Sequence, residues 1–344
     1  MKTISPWMPL LLLCLPGLPA PAVAAPATPP LPQAYAGPGE KVEIAPGRAL
    51  NLRCTGSGPR TVLLEAGANA DSSTWYRVQA LLPATVRACA YDRAGYGYSD
   101  EGPLPRDLEA DVADLAALVA AAGLDTPLVL VGHSLGSNIV RRYAQLHPRQ
   151  VAGLVLVDPP PQGADALMPA AWHSQDQAAR AGRTAFLDAC LAAAADGSLD
   201  RATGAQASCL RAPPPWQDAG VAAALRARKL QPAYWRTLRS ELEANATLFA
   251  APVAPDEDLG DLPLVLLAAA PQPVDERTPP DVAHALEQAR TQTQARLLAS
   301  SGNSRRIDLA DTSHDVQLDQ PQAVVAAIEA VLARPATSAA APAR

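Results

Sequence analysis

Gly132-His133-Ser134-Leu135-Gly136 is the stretch of this chain whose residue types and spacing point most directly to chemistry. A serine hydroxyl becomes a useful nucleophile only when a base lies in hydrogen-bond reach and a third group orients that base. Here the serine stands between two glycines, where the apolar run Leu128-Val129-Leu130-Val131 gives way to a helix-like stretch over residues 137–146. That context predicts a sharp turn from strand to helix. A side chain at 132 or 136 would meet neighbouring backbone, and the serine at the tip is expected in a strained conformation. The helix N-terminus behind it offers unpaired N–H groups and the positive end of a dipole, where an oxyanion can form.

Five histidines are available as base. His133 lies inside the turn and is expected to point away from Ser134, His147 closes the helix before Pro148, and His173 and His284 sit in helical stretches. His314 lies in Thr312-Ser313-His314-Asp315, after the last predicted strand and just before the closing helix, and is the candidate general base. For the orienting acid, Asp158 ends the run Leu154-Val155-Leu156-Val157, which would stand its carboxylate at the sheet edge near the serine. Asp275, after the next strand, is the alternative acid. Each has an ordinary reading too, a helix cap for Asp158 and a solvated turn for Asp275. The oxyanion hole needs two N–H donors. Leu135, next to the serine, is one, and Ala68 in the loop Glu65-Ala66-Gly67-Ala68-Asn69 is the other, with Gly67 allowing close backbone approach.

These residues need a frame. Val42-Glu43-Ile44 and Leu50-Asn51-Leu52 alternate as two antiparallel strands about a turn at Pro46-Gly47. Strands are predicted over 61–64, which reads as buried, 86–91, 128–131, 151–157, which is continuously apolar, 262–268 and 305–309, and helices over 108–119, 281–298 and 322–332. The alternation breaks at 159–260, an Ala- and Leu-rich helical stretch interrupted by Pro213-Pro214-Pro215 and holding Trp172, Trp216 and Trp235. The fold class is therefore α/β, a mostly parallel sheet flanked by helices, with a helical cap over 159–260 inserted into a core of 40–158 and 261–333. Every chemical candidate falls beyond the C-terminal end of a strand, where such sheets bind ligands.

Composition narrows the function. The 344 residues are 49% hydrophobic and 18% charged, enough for a large core, and a net charge of −6 without a basic patch argues against nucleic acid. Beyond the N-terminus no apolar run approaches the roughly 18 residues of a membrane span. Residues 1–24 read as a signal peptide, with Lys2, an apolar core over 8–15 and Ala22-Val23-Ala24 before the cut, so the protein is expected to be exported, periplasmic or secreted. A Pro/Ala-rich, mobile leader over 25–39 and a disordered tail over 334–344 complete the ends. Removing Cys14 with the signal leaves four cysteines, expected to pair as Cys54 with Cys89, each on or beside a predicted strand of the same sheet, and Cys190 with Cys209 within the cap. No metal or cofactor is expected, since H-E-x-x-H and dinucleotide fingerprints are missing.

The chain resembles the α/β-hydrolase superfamily, in its capped branch of esterases and lipase-like enzymes. The resemblance rests on Glu65-Ala66-Gly67, on Asp92-Arg93-Ala94-Gly95-Tyr96-Gly97-Tyr98-Ser99, on the Gly132–Gly136 turn and on Val151 through Asp158, and it covers about residues 40–333. It implies the chain order serine, acid, histidine, which fits Ser134, Asp158 and His314. A serine rather than an aspartate at 134 sets the chain apart from the dehalogenase and epoxide-hydrolase branches. Three departures stand out: Ala66 where the family commonly has histidine, Ser137 where a further glycine is common, and no Gly-x-x-Asp pattern before Asp275.

The expected function is an exported serine hydrolase cleaving carboxylic esters, with a small apolar ester as substrate. Alternatives with the same triad are a perhydrolase, an amidase or lactonase and a carbon–carbon bond hydrolase, and outside enzymes a catalytically idle binding module. The tryptophans of the cap fit either an apolar pocket or the cap's own small core.

Overall fold

The computed structural model describes residues 30–213, 217–271 and 278–334. Its sheet has eight strands: β1 (Glu40–Ala45), β2 (Arg48–Thr55), β3 (Thr61–Glu65), β4 (Arg87–Tyr91), β5 (Leu128–His133), β6 (Val151–Val157), β7 (Leu264–Ala268) and β8 (Ser304–Asp308). They lie in the order β1-β2-β4-β3-β5-β6-β7-β8. The β1–β2 and β2–β4 pairs are antiparallel and all the others parallel.

The continuous apolar runs are explained by burial on both faces. Leu63, Leu130, Leu154 and Leu156 point to one core with Leu115 and Ile139, while Val62, Leu64, Val129, Val131 and Val155 point to the other with Val78 and Ile328. The first core lies under α2 (Leu108–Ala121) and α3 (Leu135–Leu146), the second under α1 (Tyr76–Leu81) and the closing helix at Pro321–Leu332.

Between β6 and β7 the chain forms α4 (Ala170–Ala195), α5 (Ala219–Lys229) and α6 (Pro232–Ala250). This excursion buries Leu187, Cys190, Trp235 and Leu238 against Tyr96 of the sheet part. After β7 come α7 (Pro280–Ala299), then β8, then α8 (Val316–Asp319) and α9 (Pro321–Leu332). Both expected disulfides form: Cys54 and Cys89 are direct register partners on β2 and β4, and Cys190 joins Cys209 across 19 residues. Among the described residues no helix is long and apolar enough to cross a membrane.

One expectation is corrected. The stretch 25–39 read as a mobile leader, yet from residue 30 onward it is packed. Leu31 and Tyr35 bury against Tyr76 and Val221, and the Arg53 guanidinium stacks 4.5 Å from the Tyr35 ring centroid. Two apolar side chains among the prolines suffice to dock it. The signal-peptide segment 1–24, Trp216, Asp275 and the tail from 335 lie outside the described residues.

Candidate active site

Ser134 caps α3 with φ 50° and ψ −122°, a conformation that non-glycine residues seldom adopt. Packing explains why it persists. A Cβ on Gly136 would sit 2.5 Å from the Glu65 carbonyl oxygen and 2.8 Å from that of Ala66, and one on Gly132 would overlap the Gly136 carbonyl. Ser134 N donates to Val157 O at 3.0 Å, which ties the turn to β6. Leu135 is the first residue of α3, so its N–H has no partner within the helix.

His314 and Asp158 come together from separate strand ends: Nδ1 of the histidine lies 2.6 Å from Oδ2 of the aspartate. Asp158 Oδ1 accepts from Ala269 N at 3.1 Å, and Arg290 Nη2 on α7 stands 3.6 Å from the same oxygen. The acid is nearly buried, whereas the side chain of His314 is 45% exposed. With Nδ1 turned to the carboxylate, Nε2 is the nitrogen left for proton transfer. Among the described residues no hydrogen bond joins Ser134 Oγ to His314; such contacts commonly tighten only around substrate.

His133 does not stand idle. Its ring lies 4.7 Å from that of His314, and its Nε2 meets the His314 carbonyl at 2.9 Å. Gln317 Nε2 approaches Nδ1 at 3.3 Å, so the neutral tautomer with a proton on Nε2 satisfies both contacts. Burial, and then the neighbouring His314, push its pKa down to about 4.

The loop carrying Ala68 passes over the serine: a Cβ on Gly67 would lie 3.2 Å from Ser134 Cβ and 2.9 Å from His133 Nδ1. The family's usual histidine is replaced by Ala66, and a buried arginine holds the loop. Arg93 donates to Ala66 O at 2.7 Å, to Gly67 O at 2.8 Å, to Glu65 Oε1 at 2.8 Å and to Glu241 Oε2 at 2.7 Å. Glu65, Arg93 and Glu241 are 1%, 3% and 2% exposed, so these are charge pairs sealed from water. Burial lowers the Arg93 pKa, but Glu241, Glu65 and Asp111 outweigh it and hold the guanidinium charged. Burial pushes Glu65 up to about 7 against the opposing pull of Arg93. Charge counting agrees: the carboxylates Glu65, Glu241, Asp111 and Asp114 face the guanidinium groups of Arg93, Arg106 and Arg48, leaving one negative charge in excess.

Sequence reasoning placed Ser134, His314 and Asp158 but assigned nothing to Glu241, Arg290 or His133. Arg93 was visible only as part of the Asp-Arg-x-Gly-x-Gly-x-Ser pattern. Gly95 in that pattern has φ +81°, and a Cβ there would collide with Thr237 of α6. A cavity of about 500 Å³ opens between Asn69, Tyr96, Leu225, Arg226 and Tyr234, reaching the loop that carries Ala68 but not Ser134 or His314. Neither Trp172 nor Trp235 lines it. Trp235 belongs to the core of the helical excursion and Trp172 packs beside Met168 and Val282.

A parallel sheet with a strained serine at a strand–helix turn and a histidine–aspartate pair beyond neighbouring strand ends defines the α/β-hydrolase class. A model of the alpha/beta hydrolase family matches residues 62–327, and the chain belongs to that family. Over 103 residues it is 40% identical to Lipase LipV of Mycobacterium tuberculosis, covering 30% of this chain and 38% of that protein. The chain spans less than half the length of the curated relatives it matches, 41% of the first and 38% of the second. A thermophilic esterase from Thermogutta terrifontis superposes with a TM-score of 0.52 at 23% identity, over 85% of this chain and 96% of that one. A bromoperoxidase from Bacillus anthracis superposes with a TM-score of 0.57 at 18% identity, over 86% and 99%. At such identities the likeness concerns the fold alone.

Proposed function

We propose that this protein is a serine hydrolase that cleaves carboxylic esters through an acyl-enzyme on Ser134. The observation that carries the reading is the 2.6 Å contact of His314 Nδ1 with Asp158 Oδ2, beside a serine held at φ 50°. Ser134 Oγ attacks the acyl carbon while His314 Nε2 takes its proton. The same nitrogen then returns that proton to the leaving alcohol. Asp158 keeps the imidazole in the required tautomer and stabilises its cationic form. The N–H groups of Ala68 and Leu135 receive the oxyanion, and water repeats the sequence to release the acid. Residues 159–260 act as the cap over this site, and the cavity beside Asn69 takes part of the substrate. The stretch shared with Lipase LipV agrees with an ester substrate.

The test is intact-mass analysis before and after a fluorophosphonate, with peptide mapping of the adduct. A single adduct on Ser134, together with turnover of short p-nitrophenyl esters that Ser134→Ala loses by about 10⁴-fold or more, supports the reading. An unlabelled, folded protein sinks it in favour of an idle binding module. Export is part of the proposal, because the two disulfides need an oxidising compartment. N-terminal sequencing of the cell-free protein checks it, with residue 25 expected first.

A further inference from the structure

We propose that Glu241, on cap helix α6, is a positioning residue for the oxyanion hole, acting through Arg93 and through the backbone of Asn69. The inference rests on the reading of Ser134 as nucleophile and Ala68 as oxyanion donor. The donating N–H belongs to the peptide unit between Gly67 and Ala68. The carbonyl of that same unit accepts from Arg93 Nη2 at 2.8 Å. The next peptide unit presents Asn69 N to Glu241 Oε1 at 2.8 Å. Glu241 Oε2 and Arg93 Nη2 are themselves 2.7 Å apart. The two peptide planes that meet at Ala68 are therefore each held by one member of a single buried ion pair.

Two physical consequences follow from this arrangement. A carbonyl that accepts from a guanidinium is polarised, which makes the N–H of its own peptide a stronger donor. The arrangement also maintains an unfavourable backbone: Asn69 has φ 54°, and its side chain is held from the same cap helix by Tyr234, whose hydroxyl lies 2.5 Å from Oδ1. Tyr96 OH completes the shell of Glu241 by donating to Oε1 at 3.0 Å. The carboxylate thus has charged or oriented donors on both oxygens and reaches no bulk water. A surface ion pair would hold nothing so firmly. Catalysis by the sheet part then depends on α6 staying docked.

The experiment compares the full-length mature protein with Glu241→Gln on p-nitrophenyl butyrate. Glutamine keeps the volume but has one acceptor oxygen where two are used, so its N–H₂ meets either Arg93 or the Asn69 N–H as donor against donor. Loss of a whole oxyanion donor costs about 10²–10³-fold in kcat, and a misplaced one should cost roughly 10–100-fold with KM within about twofold. A trifluoromethyl ketone, whose hemiketal oxyanion needs the same donors, should lose affinity by a similar factor, while the pH profile of kcat/KM keeps its shape. Glu241→Asp, which retains the charge on a shorter arm, is read in the same way if the glutamine variant does not fold. A folded variant with undiminished kcat, or one that changes KM alone, overturns the inference. Failure of both variants to fold gives Glu241 a structural role and overturns it as well. Fluorophosphonate labelling of the wild type separates the two levels. No adduct on Ser134 removes the serine-hydrolase reading and this inference together, whereas a labelled wild type with undiminished Glu241→Gln turnover removes this inference alone.

Discussion

Asp158 and His314 are 156 residues apart in the chain, yet their Oδ2 and Nδ1 atoms lie 2.6 Å apart. Asp158 follows β6 and His314 follows β8, with β7 between them in the sheet. Adjacent strands are about 4.8 Å apart, so the histidine loop reaches across the end of β7 to the acid. The conformation of Asp158, φ 41°, turns its carboxylate back toward that loop, and Ala269 N at the end of β7 holds the other oxygen. Asp158→Asn should therefore lower kcat by about 10³–10⁴-fold, because an amide no longer selects the imidazole tautomer. Asp275→Asn should stay within about twofold of wild type. Ester turnover of the two variants, measured side by side, decides which carboxylate belongs to the site; the reverse order would move the acid to 275.

Gly67 and Gly136 are required for different reasons. At 67 a methyl group would sit 2.9 Å from His133 Nδ1 and 3.2 Å from Ser134 Cβ, against side chains of the site. At 136 it would press at 2.5 Å on the backbone oxygen of Glu65 in the sheet. Gly67→Ala is expected to lose roughly 10²-fold in kcat, as small misplacements of reacting groups do, with a smaller loss of melting temperature than at 136, because a side-chain ring gives way more easily than the sheet backbone. Gly136→Ala is expected to cost about 1–3 kcal/mol of stability as well. Thermal melts paired with kinetics distinguish them, and equal loss of stability in both would contradict the assignment.

The parallel strands are legible in sequence because burial on both faces leaves unbroken Val/Leu runs, as at Val129 to Val131 and Leu154 to Val157. Ser134 is legible because the turn needs glycine on both sides. Helices α1 and α8, six and four residues long, are too short to show a helical period. Glu241 and Arg290 carry no local signal at all. Each is one charge on an ordinary helix, and its meaning depends on a distant contact, with Arg93, 148 residues away, for the first and from α7 to Asp158 beyond β6 for the second. Leu31 and Tyr35 were hidden for the opposite reason, two apolar residues in a stretch whose prolines dominate its composition.

Glu65, at the foot of the loop that carries Ala68, should show its proton in stability. Burial raises its pKa from 4.5 to about 7, so the folded chain binds more protons than the unfolded chain between those values. The contribution is full below about 4.5 and is lost as pH rises through about 7. Glu65→Gln mimics the protonated acid: its carbonyl can accept from Arg93 and its amide can donate to the Tyr91 hydroxyl, the partner of Oε2. Denaturant unfolding at pH 5 and pH 8 should show the variant gaining on wild type as pH rises. A wild type that instead gains on the variant toward pH 8 would mean that Glu65 is ionised and held so by Arg93.

His133 works in the opposite direction. Its pKa falls from 6.5 to about 4 because the ring is buried and lies beside His314. Unfolded chains bind the proton that the folded chain refuses, so the contribution is present above about 6.5 and is lost as pH falls through about 4. Protonation would also put an N–H on Nδ1, facing the Gln317 amide 3.3 Å away, donor against donor. The Nε2 contact at 2.9 Å to the His314 carbonyl anchors the loop that carries His314, so acid should slacken that loop as it weakens the fold. His133→Asn removes the titration. Its melting temperature should fall less than that of the wild type between pH 7 and pH 4.5, and wild-type turnover on refolding to pH 7 should return in step with the melt. Parallel melting curves for the two proteins across that range would show that His133 does not carry the acid sensitivity.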